Sequence, residues 1–354
     1  MKTIKLYGFT LLRNGIKYDY SYIECLKNLS LLVDKIYLAL GGSDDGTFDS
    51  LKEFDNIEFI HTKWDPELMG DGGQILSDQT NVALDHLRKS IKNNPDFNEA
   101  WGMYLQCDEM IHEDEIKKIK SDIESAQSLG HDAVRFRYLH FWKDHYHIAI
   151  NKRWYPQEVR AIKLDSNIKS FGDAQGFSDV KNPYESDCKI FHYGHVRDEE
   201  KLAEKQKQLI RFIRPSEKFD KYFNREKRAF AKTKTVNVNI NHPVVMKDRI
   251  ERMGEDFDLN LETKNQVIYI VGNKSDFDSS LINKIACDKV IFVDSLKGVP
   301  SNMRKNAVSL IPSVLDKVFG NVIPQKMESP LAREWDINFK LLVALSKKGF
   351  YLKA

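Results

Sequence analysis

The sequence predicts an α/β fold: a mostly parallel sheet flanked by helices, with a smaller α/β unit at the C-terminal end. Three observations predict it. Short apolar runs alternate with helix-periodic segments through the first half of the chain, the pattern of strand–helix–strand crossovers. Several of those runs end in glycine- or acid-rich loops, where open parallel sheets bind ligands. The 354 residues are 42% hydrophobic and 30% charged, enough for a full core without staples.

The elements follow in order. Residues 4–12 read as a first strand and residues 20–32 as a helix, with Ile23, Leu26, Leu29 and Val33 on one side. Residues 35–40 form a second strand, ended by Gly41-Gly42-Ser43-Asp44-Asp45-Gly46-Thr47. A helix over 48–54 and a strand over 56–61 come next. Residues 74–92 show helical spacing in Ile75, Val82, Leu84, Leu87 and Ile91. Residues 100–106 read as a fourth strand running into Cys107-Asp108-Glu109, and 113–128 as a further helix.

Residues 131–195 change texture. Their density of aromatics and histidines, from Phe136 and His140 to His147 and Tyr155, predicts antiparallel strands and loops. Residues 198–232 form a charged helical stretch, read as a solvated face or as a surface for an anionic acceptor or a membrane. The boundary of a catalytic domain is placed at 235, with 236–354 a small C-terminal α/β domain. In it, 267–271 and 289–293 read as strands, and 275–286 and 333–348 as helices.

Charge excludes some functions. The chain carries 54 basic and 52 acidic residues, net +2, which argues against a dedicated nucleic-acid binder. Cys25, Cys107, Cys188 and Cys287 are widely scattered, so no CxxC metal or redox pair exists. Reduced thiols and the lack of a leader-like or spanning segment lead us to expect a cytoplasmic protein, with peripheral contact at the inner membrane face left open.

Three motifs carry chemistry. The GGSDDGT loop lets backbone approach a ligand, and Asp45 can cap a following helix. Gln106-Cys107-Asp108-Glu109, at a strand's carboxyl end, places an acid where Mg²⁺ or Mn²⁺ can be held. The segment 191–195 (Phe-His-Tyr-Gly-His) offers histidines to complete such a site, and Asp173, between glycines 172 and 176, can serve as a general base. The group His140, His145 and His147 suits packing or acceptor contact better than metal.

In this order, with Arg13-Asn14 after the first strand and Gln79-Thr80-Asn81 on the helix, the motifs resemble the family-2 glycosyltransferases of GT-A fold. Within them the closest pattern is a subgroup with a QADE-like metal motif. The resemblance covers roughly residues 3–200. It implies inverting, metal-assisted transfer of a sugar from a UDP- or GDP-linked donor to a hydroxyl of a glycan or lipid-linked acceptor. It places the donor nucleotide on Thr10, Arg13, Asn14, Gly42, Asp44, Asp45 and Gln79. The metal, Mn²⁺ or Mg²⁺, falls to Asp108 and His192, with Glu109 and His195 as second choices, and the base to Asp173. Two departures stand out: Gly41 replaces an acid that binds the base, and Gln106 replaces the first acid of the metal motif. Alternatives are a non-catalytic carbohydrate-binding protein on the same fold and a sugar nucleotidyltransferase.

Overall fold

Apolar runs near the head of the chain become the buried middle of a parallel sheet. The computed structural model describes residues 4–151, 153–254, 263–271, 287–293, 340–345 and 350–353. They fall into two compact units. The first comprises Met1–Tyr138, Gln157–Lys232 and Pro243–Lys247, and the second Leu139–Pro156, Thr233–His242 and Asp248–Ala354. The sequence boundary at 235 falls at the start of the strand Thr235–Asn239.

In the first unit, β1 (Leu6–Leu12) is followed by α1 (Tyr22–Ser30), β2 (Lys35–Gly41), β3 (Ile57–Thr62), α2 (Gln74–Ile91) and β4 (Trp101–Tyr104). β1 lies between β2 and β4, with Tyr7 opposite Lys35 and Leu6 opposite Trp101, and β3 extends the sheet with Ile57 opposite Ile36. All three pairings are parallel, as the alternation predicts. Central parallel strands are covered on both faces, so β1 buries Leu6, Phe9 and Leu12 without strict alternation. The helix α2 covers one face with Ala83, Leu84, Leu87 and Ile91, which pack with Phe9, Tyr37 and Tyr104.

Next come β5 (Glu109–Ile111), α3 (Ile116–Ser128), β6 (Ala133–Trp142), β7 (His147–Ala149), β8 (Gln157–Lys163), β9 (Lys169–Phe171), β10 (Gly176–Ser178) and β11 (Pro183–His195). β8 runs antiparallel to both β4 and β6, so the aromatic stretch is antiparallel as expected. β9 and β10 form a separate hairpin. α4 (Glu199–Ile213) and α5 (Phe219–Phe230), separated at Arg214-Pro215, complete the first unit, while β7 and the part of β6 from Leu139 onward belong to the second.

In the second unit β12 (Thr235–Asn239) pairs antiparallel with β7, and α6 (Lys247–Met253) follows it in sequence. β13 (Thr263–Val271) lies parallel to both β14 (Cys287–Val293) and β15 (Lys340–Leu345). β15 is antiparallel to β16 (Phe350–Lys353), which pairs antiparallel with β12. The three early histidines are packed here. His140 Nε2 lies 2.7 Å from Tyr155 O, His147 Nδ1 2.7 Å from Asp144 Oδ2, and the His145 ring 5.6 Å from that of His242.

Three expectations are corrected. Residues 48–54 hold only a 3₁₀ turn, Asp49–Leu51, because so short a segment does not repay helix nucleation and Ser50 Oγ instead donates back to Thr47 O at 2.7 Å. Val82 is 38% exposed, so the buried stripe of α2 passes through Ala83 instead. Residues 340–345 form β15 rather than part of a helix, since a short apolar run fits either element and pairing with β13 decides it. The helix expected over 275–286 lies outside the described residues. No helix among the described residues is long and apolar enough to cross a membrane.

Candidate active site

The carboxyl ends of β1, β2 and β4 gather the residues that the motifs single out. Thr10 is fully buried and its Oγ1 donates to Leu105 O at 2.5 Å, tying β1 to the chain leaving β4. It is a brace and not a rim group. The loops after β1 and β2 are laced together. Asn14 N donates to Ser43 Oγ at 2.9 Å, and Gly15 N to Thr47 Oγ1 at 2.8 Å. Asp45 does not cap a helix. Its Oδ2 accepts from Lys17 N at 2.7 Å and its Oδ1 from Thr47 N at 3.0 Å. Burial alone would raise its carboxyl, but these bonds hold it below the usual range. Gly42 and Asp44 stand exposed on the rim.

Arg13 Nε donates to Gly42 O at 3.1 Å, and its guanidinium lies 5.1 Å from the centre of the Trp64 ring. The bare backbone of Gly41 admits that indole: a Cβ there would fall 2.3 Å from Trp64 Nε1. Nε1 is buried without a hydrogen-bond partner among the described residues, as is Gln79 Oε1 on α2.

The segment after β4 divides its two acids. Cys107 and Asp108 form a tight turn, closed by a bond from Glu109 N to Gln106 O at 2.8 Å, and Glu109 opens β5. Glu109 faces the core, fully buried, where Arg160 Nε and Nη2 each reach it at 2.9 Å and Tyr138 Oη donates at 2.9 Å. With Gln106 N also donating to it at 3.0 Å, Glu109 has no oxygen left for a metal. Asp108, 4% exposed, instead meets β11 and α4. Its carbonyl accepts from Tyr193 N at 2.8 Å, and β11 pairs with β5 so that His192 lies opposite Glu109. This register brings His192 Nε2 to 3.7 Å from Asp108 Oδ1. Gly194 makes room for the pair, because a Cβ would stand 2.5 Å from His192 Nε2 and 3.0 Å from Asp108 Oδ2. The His195 ring lies 5.8 Å from that of His192.

Sequence reasoning missed the strongest partner of Asp108. Lys205 Nζ, from α4, donates to Asp108 Oδ2 at 2.7 Å and to Gly194 O at 2.8 Å. Arg197 Nη2 lies 3.9 Å from the same carboxylate oxygen, and Arg197 also donates to Tyr18 O and, at 3.1 Å, to Gly194 O. Tyr20 lies beneath both cations, its ring centre 4.7 Å from Lys205 Nζ and 5.2 Å from Arg197 Cζ. One signal was available: Lys205 sits in the helical stripe that buries Leu202, Ile210 and Phe212, where a lysine is out of place. Other cations of the charged stretch lie over α5 rings, Arg211 on Phe219 and Arg214 on Tyr222.

Electrostatics follow from this packing. Burial would raise the Asp108 carboxyl, but Lys205, then His192 and Arg197, hold it well below the usual range. Burial pulls the Lys205 ammonium down to about 8, with Arg197 adding and Asp108 opposing. Burial pushes the His192 imidazole down to about 4 against the pull of Asp108. A histidine in the unfolded chain titrates near about 6.5. Between those values the unfolded state binds more protons, so stability present above pH 6.5 is lost as pH falls towards 4, by up to about 3 kcal/mol. Urea midpoints are expected to fall more steeply for wild type than for His192→Gln over this range.

Asp173 stands at the tip of the β9–β10 hairpin. Ala174, next to it, is in left-handed conformation at φ +60, and its carbonyl accepts from Gln106 Nε2 at 3.3 Å. Arg160 Nη1 donates to Gln175 O at 2.8 Å. The tip is thereby pinned to the segment bearing Asp108. Gly73 supports it from α2, with φ +89 and a would-be Cβ 2.7 Å from Asp173 Cα. Gly73→Ala is expected to cost about 1–3 kcal/mol by chemical denaturation, since both backbone conformation and contact refuse a methyl group.

The residues do not fit the expected metal. Among the described residues Asp108 is the one acid at the point, Gln106 is turned to Ala174, and Lys205 and Arg197 already meet the carboxylate. Among the described residues, no three His, Cys, Asp or Glu side chains converge to hold an ion. Elsewhere, a surface depression of about 720 Å³ lies along α2, lined by Asp78, Asn81, Asp85, His86 and Lys89.

No protein-family model and no curated protein matches the chain. Among solved structures, S. aureus TarS 1–349 is similar over 58% of this chain and 64% of its own, under two thirds of its length, at 12% identity and TM-score 0.31. The 4-diphosphocytidyl-2C-methyl-D-erythritol synthase of Anaerococcus prevotii matches 57% of this chain and 96% of its own, at 12% identity and TM-score 0.30. HddC from Yersinia pseudotuberculosis matches 56% and 96%, at 16% identity and TM-score 0.29. At such scores the likeness assigns no activity to this chain.

Proposed function

We propose that the chain is a glycosyltransferase that uses a nucleotide-sugar donor and inverts the anomeric centre. The observation that carries this reading is a buried, cation-lined carboxylate, Asp108, at the carboxyl end of a parallel strand, with the hairpin that bears Asp173 pinned by Gln106 to the same segment. The donor's nucleotide lies along the laced loops after β1 and β2. Its base falls to the Arg13–Trp64 corner, where the buried Trp64 Nε1 awaits an acceptor. Asp173 takes the proton of the acceptor hydroxyl, whose oxygen attacks the anomeric carbon in line with the departing nucleoside diphosphate. The acceptor is a hydroxyl of a glycan or a lipid-linked sugar.

A panel of UDP- and GDP-linked sugars tests this, scored by thermal shift and by release of nucleoside diphosphate. A donor of the right class raises the melting temperature, because it binds the native state alone. A panel without any shift or release would remove the reading.

A further inference from the structure

Lys205 stands where a cation is expected. The helix α4 buries Leu202, Ile210 and Phe212, and Lys205 shares their stripe with its side chain 14% exposed. Holding an ammonium in such a place is costly unless it is bound by anions and acceptors. Asp108 Oδ2 and Gly194 O take two of its three hydrogens. Lys205 shares that carboxylate oxygen with Arg197, whose Nη2 lies 3.9 Å from it. Glu109, the next acid in the chain, is committed to Arg160. The third ammonium hydrogen and the shared carboxylate describe a seat for a further anion.

We propose that Lys205 is the phosphate-binding cation of this site, holding the diphosphate of the nucleotide sugar without a divalent metal ion. The inference rests on the transferase reading above. In the transfer, the acceptor oxygen bonds to the anomeric carbon as the bond from that carbon to the diphosphate oxygen breaks. The bonding pair leaves with the diphosphate, whose new charge meets the Lys205 ammonium. The hydroxyl proton passes to Asp173. Every atom and charge is then placed, and no co-reactant is required.

The test is calorimetry of inorganic pyrophosphate, UDP and GDP on the full chain, in EDTA and in Mn²⁺, with donor turnover followed under both conditions. Binding and turnover are expected to persist in EDTA. Lys205→Met is expected to weaken diphosphate binding by about 10- to 100-fold, the worth of one charge-assisted hydrogen bond. Lys205→Arg, which keeps the charge, is expected to recover most of it. Should Lys205→Met not fold, the wild-type comparison of EDTA with Mn²⁺ still decides. Binding or turnover that requires Mn²⁺, or a folded Lys205→Met that binds as wild type, would overturn the inference and leave the transferase reading standing. No binding and no turnover in either condition would overturn both.

Discussion

Glu109→Gln is expected to lower stability by about 3–5 kcal/mol, the largest loss of any single change near the site. Both members of the Glu109–Arg160 pair are fully buried. The glutamine keeps the shape but removes the charge, leaving the guanidinium in the core without its counter-ion. Two of the four bonds to that carboxylate come from Arg160, and the others from Tyr138 Oη and Gln106 N. Gln106 and Arg160 also hold the carbonyls of Ala174 and Gln175. Loss of the pair is therefore expected to loosen the Asp173 hairpin as well. Urea unfolding measures the first effect. Replacing both partners together, Glu109→Leu with Arg160→Met, should recover part of the loss, because an apolar pair leaves no charge behind. A single Glu109→Gln variant as stable as wild type would show that the pair is not a structural keystone.

Asp173→Asn is expected to act in the opposite manner, on rate and not on stability. The side chain is half-buried and makes one long bond, 3.4 Å from Gln175 N, which an amide oxygen can also accept. Melting temperature should therefore stay near wild type. Turnover should fall by about 10²- to 10⁴-fold, the usual worth of a positioned general base. Donor binding should change little, since the acid is assigned to the acceptor hydroxyl. Full turnover in a folded Asp173→Asn variant would pass the role of base to another group.

The parallel half of the fold was legible because its signals are local. Apolar runs, helical spacing and glycine-rich strand ends each declare themselves within a dozen residues, and β1 to β4 with α1 to α3 follow them. Asp108 and His192 could be chosen for the same reason, each lying in a short motif. The antiparallel register of β5 and β11 then sets them 3.7 Å apart. What the sequence concealed is set by contacts between distant segments. Neighbouring acids Asp108 and Glu109 look equivalent until the turn at 107–108 leaves one at the site and β5 carries the other into the core. Arg160 gives no local hint that it neutralises an acid 51 residues away. Lys205 is lost among ten other basic residues of the charged stretch, unless its place in the apolar stripe of α4 is weighed. At 341–345 a run of five apolar residues fits strand or helix equally, and only a partner strand decides.

In the proposed reaction a diphosphate is gripped between Asp108's neighbours. Diffraction from crystals grown with UDP or GDP measures this directly. Phosphate oxygens are expected within hydrogen-bonding distance of Lys205 Nζ, with the base beside Trp64 and Arg13. A nucleotide bound instead along the outer face of α2, with the Lys205–Asp108 contact untouched, would contradict it.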